Sequence, residues 1–231
     1  MNDPGGSPAG SSEGRRILLL VGSVGAGKGT QAAALSGELG LGHLASGNLF
    51  RKALQDGSPL GEQARAYMER GDLVPDDVTI QMFMDELSRP GAARGAILDG
   101  FPRTVAQADA LDATLAERGE QIERVISIDV PVDELVARVA GRRVCPECGR
   151  TYHVAGDPPR VPGRCDNDGA ELQQRDDDRS EVVRARLEKQ VAPMLEVLDY
   201  YDRKGIVQHV DGTQPIDAVT REILEGLRAG W

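Results

Sequence analysis

The stretch Ile17-Leu-Leu-Leu-Val21, followed by Gly22-Ser-Val-Gly-Ala-Gly-Lys-Gly-Thr30, decides the fold of this chain. Five consecutive apolar residues are typical of a strand buried on both faces, and the helical pattern after the glycines ends at Gly40. Glycines let backbone N–H groups approach a polyphosphate, and a helix N-terminus and Lys28 add positive charge. The G-x-x-x-x-G-K spacing therefore predicts a phosphate-binding loop. A glycine-rich turn that only connects strand to helix is the weaker alternative, because it needs no Lys28.

The composition is that of a globular protein with excess negative charge. The chain has 231 residues, of which 40% are hydrophobic and 28% charged, enough for one sizeable core with insertions. A net charge of −10 argues against a general binder of nucleic acid or membrane surfaces. No apolar run approaches the roughly 20 residues that cross a bilayer. Residues 1–14 are rich in Gly, Ser and Pro, which predicts a disordered tail without a secretion signal.

Strand and helix patterns alternate along most of the chain. Further strands are predicted at 41–44, 96–99, 124–130 and 206–210. Helical patterns cover 46–70 (with a break at Gly57-Ser-Pro59), 78–87, 104–119, 133–139, 183–198 (with a bend at Pro193) and 216–227. This alternation predicts an α/β fold with a parallel sheet and right-handed crossovers.

Polar residues at several predicted helix starts are candidate caps. They are Ser46, Asp76 or Asp77, Thr104, and Asp178 with Glu181 as a capping box. In the long helix, the apolar stripe is predicted at Val183, Leu187, Val191, Met194, Leu195 and Leu198.

Chemistry-bearing groups follow the predicted strands. Residues 22–30, Ser46, 99–103 and 211–213 all come after a strand, and ligands of open α/β sheets bind at the carboxyl ends of the strands. We therefore expect these groups to converge on one crevice. Asp99 closes a short apolar strand, which predicts a carboxylate that holds Mg²⁺ beside the phosphates. The alternative is an aspartate that only caps the next turn.

All three cysteines lie in the segment 141–178, which is rich in Gly, Pro, Arg and Asp. Cys145-Pro-Glu-Cys148 and Cys165-Asp-Asn-Asp168 form two knuckles separated by 16 residues. This spacing predicts a closed, structural zinc site with three thiolates and one carboxylate. Asp166 is the nearest competitor for the fourth position. A disulfide between Cys145 and Cys148, or free thiols, is the weaker alternative.

Arginines flank the cysteine segment on both sides. They are Arg138, Arg142 and Arg143 before it and Arg175, Arg179 and Arg186 after it. Phosphoryl transfer requires positioning and cations around charge that is spread over phosphate oxygens, and forked guanidinium groups suit this. A flap that lowers arginines onto phosphates would also exclude water. The alternative is a solvated, salt-bridged face, since residues 176–178 are acidic, and Arg143 and Arg179 are left to it.

Taken together, these motifs resemble the adenylate kinases of the bacterial type with a long, zinc-containing lid. The resemblance covers about residues 16–227. It is carried by Gly25-Ala-Gly-Lys-Gly-Thr-Gln-Ala32, Ser46-Gly-Asn-Leu-Phe-Arg51, Leu73-Val-Pro75, Leu98-Asp-Gly-Phe-Pro-Arg-Thr104 with Gln107, Gly141-Arg-Arg143, the cysteine knuckles, and Arg175-Asp-Asp with Arg186. The Lys-Gly-Thr order of this family also accounts for Gly29 between Lys28 and Thr30.

The resemblance implies a P-loop three-layer α/β fold with a five-stranded parallel sheet. The core would comprise 15–44, 75–140 and 179–231, with an AMP-binding helical arm at 45–74 and a zinc-stapled lid at 141–178. The implied reaction is Mg·ATP plus AMP giving two ADP, with structural Zn²⁺, in a cytoplasmic monomer that has no nucleic-acid or membrane partner. Another nucleoside monophosphate kinase, or a nucleotide-binding regulatory module, is the alternative.

The resemblance also implies roles for individual residues. The transferred group would be surrounded by Lys28, Arg103, Arg142, Arg175 and Arg186. ATP would contact Gly25, Ala26, Gly27, Lys28, Gly29, Thr30, Arg138, Arg142, Thr151, Tyr152 and Gln214. AMP would contact Ser46, Arg51, Asp72, Leu73, Val74, Gly100, Phe101, Pro102, Arg103, Gln107, Arg175 and Arg186. Mg²⁺ would be held through water by Asp99, and zinc by Cys145, Cys148, Cys165 and Asp168.

Three positions depart from the pattern of the family. Asn48 stands where an aspartate is expected, so one negative charge is missing near the phosphates. Ser23-Val24 replaces a more usual proline pair in the loop. Gln214 stands where a lysine is common.

Overall fold

The computed structural model describes residues 15–70, 74–175, 178 and 180–230. The expected tail at 1–14 and the expected AMP contacts Asp72 and Leu73 lie outside the described residues. So do Arg179 and the side chain of Arg186.

Five parallel strands form the central sheet. They are β1 (Arg16–Val21), β2 (Gly42–Ala45), β3 (Gly95–Asp99), β4 (Ile122–Asp129) and β7 (Val207–Asp211), in the order β2-β3-β1-β4-β7. A second, antiparallel sheet pairs β5 (Arg142–Val144) with β6 (Thr151–His153). The five-stranded parallel sheet that the resemblance implied is confirmed, whereas the small sheet within 141–178 was not predicted.

Eight helices and one short 3₁₀ helix (Pro90–Ala92) occur in the part of the chain that the structure describes. The helices are α1 (Lys28–Leu39), α2 (Ser46–Gln55), α3 (Pro59–Arg70), α4 (Asp76–Leu87), α5 (Val105–Glu117), α6 (Val132–Ala140), α7 (Ser180–Asp202) and α8 (Ile216–Ala229). Each predicted helix is present, and the break at Gly57-Ser-Pro59 separates α2 from α3.

Strand β1 lies at the centre of the sheet and is buried on both faces, as its unbroken apolar run predicts. Ile17, Leu19 and Val21 pack into one hydrophobic layer with α4, α5 and the C-terminal half of α7. Leu18 and Leu20 pack into the other layer with α1, α6, α8 and the N-terminal half of α7. The sheet therefore lies between two helical layers, and β1 is at its centre.

Helix α7 contacts both hydrophobic layers. Val183 and Leu187 lie in one layer, and Leu198 and Tyr201 lie in the other, on opposite sides of Pro193. Five of the six predicted stripe residues pack into these layers, which the prediction did not distinguish, and only Leu195 is wrong, because it is 54% exposed.

Of the cap predictions based on local sequence, one is confirmed, two are wrong, and the capping box of Asp178 and Glu181 stays a prediction. Thr104 does cap α5, because its hydroxyl accepts a hydrogen bond from the Gln107 backbone N–H at 3.1 Å. Helix α2 instead has Ala45 at its N-cap, and α4 has Pro75, each without a side-chain cap bond. Ser46, Asp76 and Asp178 bond to distant residues, as described below; Asp77 is exposed, and the side chain of Glu181 lies outside the described residues.

Candidate active site and lid metal centre

The loop after β1 is shaped by glycines that accept left-handed backbone conformations and close neighbours. Gly25 has φ of 86°, and a Cβ there would lie 2.7 Å from Val139 Cγ2 and 2.9 Å from the Leu135 carbonyl oxygen. The side chain of Lys28 folds back over the loop, where Nζ donates to the carbonyl oxygens of Gly22 at 2.7 Å and Ser23 at 2.9 Å. The ammonium is therefore held above the loop, at the N-terminus of α1, where an anion binds favourably.

Asp99 stands beside this loop at the carboxyl end of β3. It pairs in register with Leu20 of β1, and its Oδ2 lies 3.3 Å from His43 Nε2 and 3.7 Å from the position of a Cβ at Gly29. Burial opposes ionisation of the carboxyl, but the His43 hydrogen bond and the charges of Lys28, His43 and Arg103 hold its pKa below its ordinary value. An ionised carboxylate next to a phosphate loop is suited to hold Mg²⁺ through water.

His43 is a contact of Asp99 that sequence reasoning missed. The two residues are 56 positions apart, and they meet because β2 and β3 are parallel neighbours in the sheet. Nothing in the local sequence around His43 indicates this pairing.

The turn after Asp99 brings a second group of expected site residues together. Arg103 Nε donates to the Gly100 carbonyl oxygen at 2.7 Å, and its Nη2 donates to Ser46 Oγ at 3.2 Å. Gly100 has φ of 75°, and a Cβ there would lie 2.8 Å from Ser46 Oγ. The start of α2 and the 100–103 turn therefore form one polar surface, although Ser46 was expected to be a cap.

The buried Gln107 and the half-buried Asp76 form a hydrogen-bonded network beside that turn. Gln107 Oε1 accepts from the Arg103 backbone N–H at 2.7 Å, and its Nε2 donates to Asp76 Oδ1 at 2.7 Å. The Thr104 hydroxyl donates to Asp76 Oδ2 at 3.4 Å. Asp76 was predicted only as a possible cap, so its contact with an expected AMP ligand was missed.

Two of the remaining expected AMP contacts, Val74 and Phe101, are buried in hydrophobic clusters and not exposed on this surface. Arg51 Nη2 donates to Asn48 Oδ1 at 2.7 Å, and Val74 is buried in an apolar cluster with Phe50 and other residues of α2, α3 and α4. Phe101 stacks on Phe83, with 4.3 Å between ring centroids.

The arginines that precede the cysteine segment are engaged with protein groups. Arg142 forms a two-pronged ion pair with Asp178, in which Nε donates to Oδ2 at 2.8 Å and Nη2 makes a shorter contact to Oδ1. Asp178 is fully buried. Arg138 donates to the Gly212 carbonyl oxygen at 2.9 Å and pairs with Glu134. An ATP phosphate would therefore compete with Asp178 for the guanidinium of Arg142.

The two cysteine knuckles converge on one point. One ligand atom from each of Cys145, Cys148, Cys165 and Asp168 lies within 4.8 Å of the other three. The sulfurs of Cys148 and Cys165 are 3.5 Å apart, close to the roughly 3.8 Å that two thiolates span on a tetrahedral zinc ion. All three cysteines are free thiols, so the predicted alternative of a disulfide between Cys145 and Cys148 is wrong.

Of the two aspartates that compete for the fourth ligand position, Asp168 lies beside the sulfurs. Its oxygens lie 3.3 and 3.4 Å from Cys145 Sγ. A hydrogen bond from the Ala170 backbone, and then the neighbouring thiols, lower its pKa to about 2. The competitor Asp166 instead accepts from the Arg160 backbone N–H at 2.9 Å. The donor set and its geometry fit a structural zinc ion.

Tyr152 lies directly behind this cluster and connects it to the small sheet. Its ring is 1% exposed and packs against Cys145 and Cys165. Its hydroxyl accepts from the Asp166 backbone N–H at 2.7 Å and lies 3.4 Å from Cys165 Sγ. Tyr152 pairs in register with Arg143, and Thr151 with Val144. The strand expected to contact ATP is thus joined to the cysteine cluster.

Comparison with known proteins identifies the family. The family model described as "Adenylate kinase" matches residues 20–206. The chain belongs to the adenylate kinase family. Among its relatives, the adenylate kinase of Symbiobacterium thermophilum is 49% identical over 215 residues, which cover 92% of this chain and 98% of the relative. That of Exiguobacterium sibiricum is 48% identical over 206 residues (89% and 96%), and that of Moorella thermoacetica is 48% identical over 217 residues (93% and 99%).

The departures from the pattern of adenylate kinases have structural counterparts. Ser23 Oγ lies 3.7 Å from Met194 Sδ, which joins the loop to α7, and Val24 packs against a hydrophobic layer of the core. Asn48 keeps the acceptor role of an aspartate toward Arg51 without its charge. Gln214 Nε2 donates to Glu222 at 3.3 Å. Among the described helices of this adenylate kinase family member, none is long and apolar enough to cross a membrane.

Proposed function

We propose that this chain catalyses the reversible transfer of a phosphoryl group from Mg·ATP to AMP, giving two ADP. One observation carries the proposal. A phosphate loop with a held lysine, an ionised Asp99 and the Arg103–Ser46 surface occur side by side at the carboxyl ends of β1, β2 and β3. Such a crevice offers a place for each of two phosphate-bearing ligands.

The donor nucleotide is assigned to the loop side of the crevice. The ATP phosphates would lie on residues 25–30, with Lys28 exchanging its loop carbonyl partners for phosphate oxygens. Asp99 would hold Mg²⁺ through water. When bound there, the ion would supply positive charge that neutralises the charge developing on the phosphate oxygens. Arg138, Thr151, Tyr152 and Gln214 remain expected ATP contacts.

The acceptor nucleotide is assigned to the turn after β3. Arg51 and Arg103 supply positive charge for the phosphate of AMP. Gln107 carries a neutral amide that offers both a donor and an acceptor, which suits the edge of a base. Ser46, Asp72, Leu73, Val74, Gly100, Phe101 and Pro102 are the further proposed AMP contacts.

The 141–178 segment acts as a lid in this proposal. Arg142 exchanges the carboxylate of Asp178 for phosphate when the lid closes, and closure excludes water that would otherwise hydrolyse ATP. Arg175 and Arg186 complete the cations around the transferred group. The arm at 45–74 moves with AMP, and the protein is expected to be a cytoplasmic monomer, as the family resemblance implies.

A coupled assay tests the reaction. The protein is incubated with Mg·ATP and, separately, AMP, CMP, UMP or GMP, and ADP is measured; ADP formation should be highest with AMP. Asp77→Asn serves as a control for a change of charge away from the site. Absence of ADP above background with AMP would refute the proposal. Faster ADP formation with another monophosphate would indicate a nucleoside monophosphate kinase with a different base specificity.

We also assign zinc to Cys145, Cys148, Cys165 and Asp168, where it staples the lid. Purified protein should carry about one zinc ion per chain. Cys165→Ala should lose the metal and lower the thermal stability of the lid while the core stays folded. Metal analysis that finds no zinc, or unchanged melting of Cys165→Ala, would refute the assignment.

A further inference from the structure

We propose that Asp76 is a specificity-determining positioning residue: it fixes the orientation of the Gln107 amide so that this amide accepts adenine and rejects bases with the opposite hydrogen-bonding edge. The inference rests on the proposed function, because it takes Gln107 as the contact to the base of AMP. It concerns Asp76, which touches no nucleotide in the proposal and acts through Gln107.

The orientation of the Gln107 amide is decided by two neighbours of opposite chemistry. The Arg103 backbone N–H can only donate, so it faces Oε1, at 2.7 Å. The carboxylate of Asp76 can only accept, so it faces Nε2, also at 2.7 Å. A flipped amide would set two donors against each other at Arg103 and two acceptors against each other at Asp76.

Burial makes that flip costly. Gln107 is 2% exposed, so water compensates little for amide atoms of Gln107 that lose their partners. Asp76 is itself held by the Thr104 hydroxyl, which donates to its second oxygen at 3.4 Å and accepts from the Gln107 backbone N–H at 3.1 Å. The three side chains thus form a closed network between the first turns of α4 and α5.

The fixed amide retains one free site on each atom. An amide oxygen has two lone pairs and an amide nitrogen two hydrogens, so Oε1 can accept once more and Nε2 can donate once more. Adenine presents an amino donor at C6 and an acceptor at N1, which match this pair. Hypoxanthine and guanine present an acceptor at C6 and a donor at N1, and they would match only the flipped amide.

The experiment compares AMP with inosine monophosphate, whose base differs from adenine only at this edge. Values of kcat/KM are measured for both monophosphates at saturating Mg·ATP, with wild-type protein, Asp76→Asn and Asp77→Asn. The last variant is the matched control, because Asp77 lies in the same first turn of α4 and is exposed. Both substitutions remove one negative charge from the same helix N-terminus.

Asp76→Asn should lower the preference for AMP over inosine monophosphate by about tenfold or more, since it replaces a charge-assisted bond with one that either amide orientation can make. Asp77→Asn should leave the preference unchanged, and KM for ATP should not change in either variant. An Asp76→Asn protein with the wild-type preference overturns the inference. Wild-type protein that forms no ADP from AMP overturns instead the proposed function.

A double-mutant cycle separates positioning from a structural role. Gln107→Met removes the amide and should itself lower the preference for AMP. In that background Asp76→Asn should have no further effect on the preference; a further effect of the same size as in wild type contradicts the inference. Should Asp76→Asn fail to fold in a melting experiment, Asp76→Ser provides the same test, because a hydroxyl also donates or accepts.

Discussion

The close packing of α2 on α3 predicts a selective defect for alanine at Gly61. A Cβ at Gly61 would lie 2.3 Å from the Ala53 carbonyl oxygen and 2.7 Å from the Leu54 nitrogen. These are backbone atoms, so no side-chain rotation relieves the overlap. Ordinary contacts begin at 3.4 Å, so the two helices must separate by about 1 Å, a strain of the overpacking kind.

The size of the effect follows from two opposing contributions. Overpacking costs about 1–3 kcal/mol, and contact with several backbone atoms places Gly61→Ala at the upper end. The higher helix propensity of alanine offsets about 1 kcal/mol of this destabilisation. The pair of helices α2 and α3, which carries Arg51, is therefore destabilised by a net of about 1–2 kcal/mol. If AMP requires the undistorted pair, its apparent affinity falls about 5- to 30-fold.

Gly37→Ala is the matched control for this prediction. Gly37 also lies inside a helix, α1, and a Cβ there would meet nothing within 4 Å. This variant should gain about 0.4–1 kcal/mol of stability with unchanged KM values. The assay measures KM for AMP at saturating ATP, KM for ATP at saturating AMP, and the melting temperature of both variants. Gly61→Ala with wild-type KM for AMP, or with an equal rise in both KM values, would refute the reasoning.

Three further predictions concern the loop, the lid and the edge of the sheet. Lys28→Ala should lower turnover by about two orders of magnitude or more without loss of the fold by circular dichroism, and near-normal turnover would remove Lys28 from the mechanism. Tyr152→Phe should weaken zinc binding about tenfold or more in a chelator competition, because its hydroxyl would no longer bond to Cys165; equal affinity would contradict this. His209 bonds to Asp129, and that bond, ahead of opposing burial, raises its pKa. The protonated His209 therefore stabilises the folded protein fully below its unfolded pKa of about 6.5, and this stabilisation is lost as pH rises through the higher folded pKa. Because His209 is half exposed, the contribution is at most about 1 kcal/mol. In His209→Gln, the free energy of unfolding should therefore vary less with pH in this range.

The sequence predicts those parts of the site that depend on backbone pattern and fixed spacing. The apolar run before residues 22–30 predicts a doubly buried strand, and β1 is one. Alternation predicts a parallel sheet, and the carboxyl ends of its strands do bring Asp99 beside the phosphate loop. The cysteine spacing predicts a four-ligand cluster, because two ligands separated by only two residues are held close together by the local backbone alone.

Contacts that depend on long-range packing could not be predicted in this way. His43 and Asp99 are 56 positions apart, and Arg142 and Asp178 are 36 apart. The division of α7 between two layers was also missed, because each half of the helix has a helical stripe of its own and the local pattern does not say which layer each stripe contacts.

The failed cap predictions have one physical cause. A side-chain cap stabilises a helix by about 1 kcal/mol, whereas a hydrogen bond to a charged group in a partly buried site contributes about 1.5–3 kcal/mol. At Thr104 the hydroxyl accepts from the capped Gln107 backbone N–H and donates its own proton to Asp76, so the cap and the distant bond do not compete. At Asp76 the distant amide of Gln107 competes with the local cap, and the stronger bond prevails. An acid at a helix start near a crevice is thus available for positioning a functional side chain, as we infer for Asp76 and Gln107.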